Sequence, residues 1–167
     1  NKGACWIFTR TGNNWQQHVS KLSGSGNVGN SLQGHSVAIS ADGNTLVMGA
    51  PGDNSNAGAV WIFVRSGNNW LQQGTKLVGS GASGNARQGN SVAISADGNT
   101  IAVSGDDDNA STGAVWIFTR TAAVWSQQGN KLVGTGSIGS SRQGIAVTLS
   151  ADGNTLLSGG YTDDNGN

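Results

Sequence analysis

The chain repeats itself at a fixed spacing of 55 residues. The letters SADGNT begin at Ser40, at Ser95 and again at Ser150. A second segment recurs at the same spacing, as GACWIFTR, GAVWIFVR and GAVWIFTR, and no insertion separates the copies. A period of this size predicts one supersecondary unit per repeat, with neighbouring units stacked to bury a shared core.

Each repeat carries the pattern of four β-strands. HSVAIS (35–40) alternates between apolar and polar residues, whereas NTLVMGA (44–50) and AVWIFV (59–64) are short, nearly continuous apolar runs. WLQQGTKL (70–77) is mostly polar, as suits an outer strand. Asp-Gly between the first two runs predicts a hairpin turn, because both residues tolerate positive φ. No ten-residue stretch shows convincing helical periodicity.

Four-stranded repeats of this length predict an all-β fold of β-propeller blades. We expect three repeats of four antiparallel strands, forming half or part of a six- or seven-bladed ring. A β-solenoid is the alternative with shorter coils, and a β-sandwich would need no repeat.

The order of the strands predicts that the chain, residues 1–167, is a single repeat array that is cut between strands. Residues 34–77 and 89–132 make complete blades. Residues 144–160 supply the first two strands of a third blade and residues 3–22 the last two. Because rings have about four to eight blades, we expect these half-blades to pair with another chain or with further blades of a longer chain.

The unit that starts at Gly34, GHSVAISADGNTLVMGAPGDNSNAGAVWIFVR, resembles the FG-GAP repeat of integrin α-chain propellers and bacterial surface proteins. Gly49-Ala50-Pro51 matches the "GAP" of that motif, although only this copy keeps it. A WD-repeat blade is the near alternative. The resemblance implies an adhesion-type role. Glutamine replaces the phenylalanine of the family at Gln33, Gln88 and Gln143.

The resemblance also raises the question of calcium, which integrin-type repeats often bind in the loop between the first two strands. Calcium takes about 6–8 oxygen ligands. Here the loop is only SADGNT and offers one carboxylate per copy, so we expect no metal site and no cofactor. The three carboxylates are Asp42, Asp97 and Asp152.

The composition limits the kinds of partner and the cellular location that we expect for the protein. The formal net charge is zero and charged residues make up 11% of the chain. A nucleic-acid partner is therefore not expected, because such binding depends on a basic surface. No apolar run approaches the roughly 18–20 residues that span a bilayer, so membrane insertion is not expected either. The abundance of Gly, Ser, Thr and Asn favours an extracellular or cell-surface protein. Cys5 is expected to be a small buried residue.

Six tryptophans recur in two sets. The set in the third strand is expected to lie in the core. The set at the start of the fourth strand is the candidate ligand-binding set, because such rings stack on sugars; the alternative is that they cap the crevices between blades. The core set is Trp6, Trp61 and Trp116, and the candidate set is Trp15, Trp70 and Trp125.

The remaining polar residues do not assemble into a catalytic motif. Asp106, Asp107 and Asp108 are expected to be solvated turn residues on one face of the ring, and the two histidines, His18 and His35, lie at non-equivalent positions. We therefore expect no enzyme and no catalytic residue. The sequence favours a binding or structural module of the adhesion or assembly type, with self-association or a glycan or surface protein as partner; a carbohydrate-binding lectin is the alternative.

Overall fold

The computed structural model of the chain describes residues 1–164; the last three residues of the predicted 1–167 array lie outside this range. The strands and two four-residue helical turns follow one another in this order: β1 (Phe8–Thr11), β2 (Asn14–Gln17), β3 (Ser36–Ile39), β4 (Thr45–Ala50), α1 (Asp53–Asn56), β5 (Ala59–Ser66), β6 (Asn69–Gln72), β7 (Val92–Ile94), β8 (Thr100–Gly105), α2 (Asp108–Ser111), β9 (Ala114–Thr121), β10 (Val124–Gln127), β11 (Ala146–Leu149) and β12 (Leu156–Gly159). Neither helical turn is long or apolar enough to cross a membrane.

The strands form four antiparallel sheets. Two sheets are complete: blade I has the order β3-β4-β5-β6 and blade II the order β7-β8-β9-β10. Two sheets have two strands each: the N-terminal half-blade is β1-β2 and the C-terminal half-blade is β11-β12. Sequential antiparallel sheets of four strands are the construction of β-propeller blades. The predicted all-β fold of four-stranded antiparallel blades is confirmed in blades I and II.

The sheet register repeats as faithfully as the sequence. In blade I, Thr45 of β4 lies opposite Val64 of β5. One repeat later, in blade II, Thr100 of β8 lies opposite Thr119 of β9. Each position of a repeat therefore has a defined structural counterpart 55 residues away, and the environments of counterparts can be compared directly.

The SADGNT turn is held by its own aspartate. Asp97 Oδ1 accepts hydrogen bonds from Ser95 Oγ at 2.5 Å and from the Asn99 backbone N–H at 3.0 Å. Gly98 follows with φ of 70°, which glycine adopts without strain. The bond from Ser95 and then those from Asn99 lower the pKa of Asp97 below its ordinary value. The carboxylate is thus used by the hairpin itself, as its counterparts are in the other two turns.

The turns also join neighbouring blades to each other through backbone hydrogen bonds. The backbone N–H of Ala41 donates to the carbonyl of Ala96 at 3.0 Å, and the N–H of Ala96 donates to the carbonyl of Ala151 at 2.8 Å. The first strands of successive blades consequently lie side by side, and β7 contacts both β3 and β11.

The core lies between the blades as well as within them. One buried cluster combines Val47 of β4 and Ile62 of β5 with Val92 and Ile101 of blade II. Because both faces of β4 and β5 are covered, these strands have continuous apolar runs rather than alternating ones. The apolar faces of blades I and II therefore bury each other.

The connection from each blade to the next is held in place by a glutamine side chain. The backbone N–H of Gly79 donates to Gln88 Oε1 at 2.5 Å, and Gln88 Nε2 donates to the Gly79 carbonyl at 2.9 Å. Gln88 is buried, so both ends of its amide are satisfied where water is excluded. The same two bonds, here called the glutamine clasp, join Gln33 to Gly24 and Gln143 to Gly134.

Replacing Gln88 by alanine is expected to destabilise the fold by about 1–3 kcal/mol, because the peptide groups of Gly79 lose their partners in a buried place. Denaturant unfolding followed by tryptophan fluorescence measures this loss. Gln16→Ala, on the exposed strand β2, is the control and should stay within about 0.5 kcal/mol of wild type. Equal effects of the two variants would contradict the role given to the clasp.

Candidate interaction surfaces at the open blade edges

The third-strand tryptophans of blades I and II each pack against a glycine of the preceding connection. Trp61 covers Gly24, where a Cβ atom would collide with the indole ring, and its Nε1 donates to the Ser25 carbonyl at 2.7 Å. This contact, here called the tryptophan lock, recurs among Trp116, Gly79 and Ser80, again with a 2.7 Å bond. The glutamine clasp holds the glycine in place beneath the ring.

Trp6 does not share this environment, and its assignment to the core was wrong. Trp61 and Trp116 are completely buried, but Trp6 is 56% exposed. The physical reason is its strand: β1 pairs with β2 on one side only, whereas β5 and β9 pair on both sides. A tryptophan that is buried in two repeats is therefore a surface residue in the third.

The C-terminal half-blade presents the matching half of a lock. Gln143 clasps Gly134 as in the other repeats. A Cβ atom on Gly134 would meet only the side chain of Gln143, at 3.1 Å for the closest atom. The surface that carries a tryptophan at Gly24 and Gly79 is thus formed and open at Gly134.

Other apolar residues of the half-blades are also exposed although their counterparts in the complete blades are buried. Phe8 is 54% exposed although its counterparts Phe63 and Phe118 are buried, and Leu157 is 65% exposed although its counterpart Val47 is fully buried. A cavity of about 230 Å³ lies between the N-terminal half-blade and blade I, lined by Trp6, Ile7, Phe8, Val37, Ala38, Ile39 and Leu46. Both half-blades therefore expose surfaces of the kind that is buried between complete blades.

The three tryptophans of the candidate ligand-binding set lie in three different environments. Trp15 is exposed, with the guanidinium of Arg10 6.0 Å from its ring centroid. Trp70 is buried in the core of blade I together with Phe63, so it offers no ring face to a ligand. Trp125 is half-buried. The structure does not give the set a common site.

Trp125 binds across the joint between blades I and II. Its Nε1 donates to Gln73 Oε1 at 2.8 Å, and Arg120 lies over its ring at 5.2 Å from the centroid. Beside it, a pocket of about 210 Å³ is lined by Gln73, Gly74, Thr75, Leu77, Ala123, Val124 and Trp125.

The corresponding joint between blade I and the N-terminal half-blade carries a histidine. His18 is the counterpart of Gln73, just as Trp70 is the counterpart of Trp125. Both His18 Nε2 and Trp70 Nε1 are buried and have no hydrogen-bond partner among the described residues. Sequence reasoning missed this pair; the signal was the spacing of 55 residues that aligns His18 with a glutamine.

Asp106 and Asp108, in the loop before β9, are buried rather than solvated, so that expectation was wrong for them; Asp107 is half-buried. Asp108 is completely buried, accepts the Ser83 backbone N–H at 2.7 Å and forms an ion pair with Lys131. Asp53 does the same in blade I, with Val28 and Lys76. These carboxylates tie the loop to a distant connection and are not free to bind a ligand.

Asp106 belongs to an asymmetric cluster. Arg142 reaches Asp106 at 3.3 Å and Asp107 at 3.5 Å, and Arg87 reaches Asp107 at 3.5 Å. Burial, followed by the neighbouring Asp107 carboxylate, raises the pKa of Asp106 although both arginines act in the opposite direction. Since the counterparts in blade I are Pro51, Gly52 and Leu32, the cluster is confined to one joint.

Across residues 1–164, no group of three or more His, Cys, Asp or Glu side chains is arranged to hold a metal ion. Cys5 is buried, as the sequence predicted, and burial raises the pKa of its thiol. A protonated thiol is a weak nucleophile.

No family model matches the chain, and no curated protein matches it. Among solved structures, the chain is similar to the crystal structure of TolB from Acinetobacter baumannii, with 14% sequence identity and a TM-score of 0.44. The match covers 87% of this chain and 29% of the TolB chain. The chain thus spans less than a third of the length of that structure.

Substituting His18 by glutamine is expected to stabilise the protein by about 0.5–1.5 kcal/mol, because a glutamine there supplies the acceptor that Gln73 gives to Trp125. Denaturant unfolding at one fixed protein concentration measures the change. The mirror variant, Gln73→His, should lose stability, since Trp125 and Arg120 share the Gln73 acceptor. A destabilising His18→Gln would show that His18 and Trp70 are not the equivalent pair.

Proposed function

We propose that the chain is a non-catalytic β-propeller module that acts by binding or assembly, through the open edges of its two half-blades. The observation that carries this proposal is the exposure of apolar residues at those edges, compared with the burial of their counterparts in blades I and II. Clustered exposed apolar surface is typical of sites that bind another protein.

Two further features support a binding role. The repeated carboxylates are engaged in the structure itself: Asp97 in its turn and Asp108 in its ion pair with Lys131. The resemblance to the FG-GAP repeat supports an adhesion or assembly role at the cell surface or outside the cell. Fold resemblance alone does not determine a ligand, so the interface has to be identified from the surface itself.

The first test is the mass of the protein in solution. A single chain has a mass of 16.9 kDa. Light scattering coupled to size exclusion is expected to find a larger species at micromolar concentration, because the exposed edges bury apolar surface only by associating. Asn68→Ala, in the turn between β5 and β6 and outside both half-blades, is the control and should show the same mass as wild type.

A folded protein that stays at the mass of one chain over the whole concentration range would contradict assembly through the half-blades. Folding is checked separately by circular dichroism, so that an unfolded sample is not counted as a monomer.

The pocket beside Trp125 favours a second candidate function, carbohydrate binding. Its volume of about 210 Å³ is below the range of about 300–1,000 Å³ for drug-sized ligands, so it suits a single sugar ring. Val124 and Trp125 supply apolar surface, and Gln73 and Thr75 supply polar groups. This candidate uses one tryptophan of the predicted set rather than all three.

A glycan array tests the lectin candidate. If the pocket binds sugar, Trp125→Ala should abolish the signal, because the stacking surface is lost, while Trp125→Phe should keep a weakened signal. Trp15→Ala lies outside this pocket and is the matched control. Absence of any signal from the wild-type protein, or equal loss in Trp15→Ala and Trp125→Ala, would contradict a site at this pocket.

A further inference from the structure

The geometry points to a second copy of this chain as the partner that the half-blades bind. In this arrangement the N-terminal half-blade of one copy completes the C-terminal half-blade of the other. The inference rests on the proposed assembly function and adds to it the identity of the partner, the strand register and the side chains that form the contact. Its basis is that one chain carries both halves of a joint that the structure shows complete in blades I and II.

The strand register follows from the repeat. In blade I, Thr45 lies opposite Val64, and in blade II Thr100 lies opposite Thr119. The counterpart of these two pairs is Thr155 with Thr9. Strand β12 has β11 on one side only, and β1 has only β2. Antiparallel pairing of β1 from one copy with β12 of the other therefore restores a four-stranded sheet, β11-β12-β1-β2, with no open edge.

The tryptophan lock supplies the central side-chain contact. Trp6 of one copy is placed over Gly134 of the other, where the glutamine clasp of Gln143 is already formed. Trp61 and Trp116 donate from Nε1 to the carbonyl of the residue after the glycine. The corresponding acceptor is the backbone carbonyl of Thr135. Burial of the exposed Trp6 indole makes this contact the expected hot spot.

Trp15, the second tryptophan of the N-terminal half-blade, also has an equivalent hydrogen-bond partner in the second copy. Trp125 donates to Gln73 of the preceding repeat, and the residue that stands in this relation to Trp15 is Gln128 of the other copy. Trp15 is exposed with Arg10 beside its ring, as Arg120 lies beside Trp125. The exposure of Trp15 is thereby explained without a ligand.

The cavity at the N-terminal half-blade receives the C-terminal half-blade. Leu157 is the counterpart of Val47, which packs in one cluster with Val92 of the next blade. Val37, the counterpart of Val92, lines the cavity of about 230 Å³. Leu157 of one copy therefore enters the cavity of the other beside Val37. Because the contact is head-to-tail, two copies placed end to end close a ring of six blades if the rotation allows.

Site-specific disulfide formation tests this inference. In a Cys5→Val background, which introduces the residue found at the counterpart positions Val60 and Val115, Thr9→Cys and Thr155→Cys are made in separate proteins and mixed. The bond from Arg65 N–H to the Asn44 carbonyl makes the adjacent pair, Thr45 with Val64, a non-hydrogen-bonded pair. Such pairs have Cα atoms about 4.5 Å apart, which a disulfide spans.

Mild oxidation of the mixture is expected to give a covalent dimer, of twice 16.9 kDa, in high yield. Thr9→Cys mixed with Thr148→Cys is the matched control: Thr148 lies on β11, away from the free edge of β12, and should give little dimer. Comparable yields from the two mixtures would overturn the register and with it the inference.

Gly134→Ala provides an independent arm. The added methyl meets only the Gln143 side chain within its own chain, so the fold should persist, but it occupies the place of the Trp6 ring of the second copy. The variant is expected to have the mass of one chain under conditions in which wild type and Asn68→Ala associate.

The outcomes separate this inference from the proposed function. If the wild type associates but no Thr9–Thr155 disulfide forms, or if Gly134→Ala does not change the association, the proposed contact between half-blades is wrong. The proposed assembly function is not affected by either result. A wild type that is monomeric under all conditions overturns both. An intramolecular disulfide in the double variant Thr9→Cys/Thr155→Cys, with no dimer, shows that the chain closes on itself and overturns the second copy as the partner.

Discussion

The joint between blades depends on a glycine peptide that a buried glutamine holds by two hydrogen bonds. In blade II, Gln88 fixes Gly79, and the absence of a Cβ atom there leaves a flat surface on which Trp116 lies. The indole N–H then reaches the carbonyl of Ser80. The indole ring buries the peptide groups of Gly79, which would then lack hydrogen-bond partners. The glutamine clasp supplies those partners, so the ring can pack on the glycine without leaving polar groups unpaired.

This arrangement explains how a polar residue, Gln88, can serve the buried joint between blades I and II. A phenylalanine would contribute apolar area to the blade joint, whereas Gln88 contributes little area but orders the connection that carries Gly79. The apolar area is then supplied by Trp116, from the third strand of the following blade. The two residue types therefore act as one unit, and the effect of changing either depends on the other.

Much of the fold could be predicted from the sequence because its signals are local and repeated. The Asp-Gly turn around Gly98 and the apolar run of β5 are each specified by a few adjacent residues, and three copies point to the same answer. The environment of individual side chains could not be predicted in this way. Asp108 looks like a turn residue, but its partner is a backbone N–H 25 residues earlier, at Ser83. Trp6 differs from Trp116 in local sequence only by Cys5 in place of Val115, yet it is exposed because no further strand pairs with β1.

The proposed joint between two copies has apolar side chains at a position where a joint inside the chain has an ion pair. Between blade II and the C-terminal half-blade, Arg142 pairs with Asp106. The residue one repeat after Asp106 is Tyr161, and the residue two repeats before Arg142 is Leu32. Both side chains are exposed. Docking of a second copy brings Leu32 of one chain to Tyr161 of the other, an apolar pair in the place of an ion pair. An alignment shifted by a whole repeat has no open strand to pair with, because β5 and β9 are paired on both sides and only β1 among the third strands has a free edge. The replacement of the ion pair by two apolar side chains therefore allows the half-blades to meet without desolvation of a charge at this point of the joint.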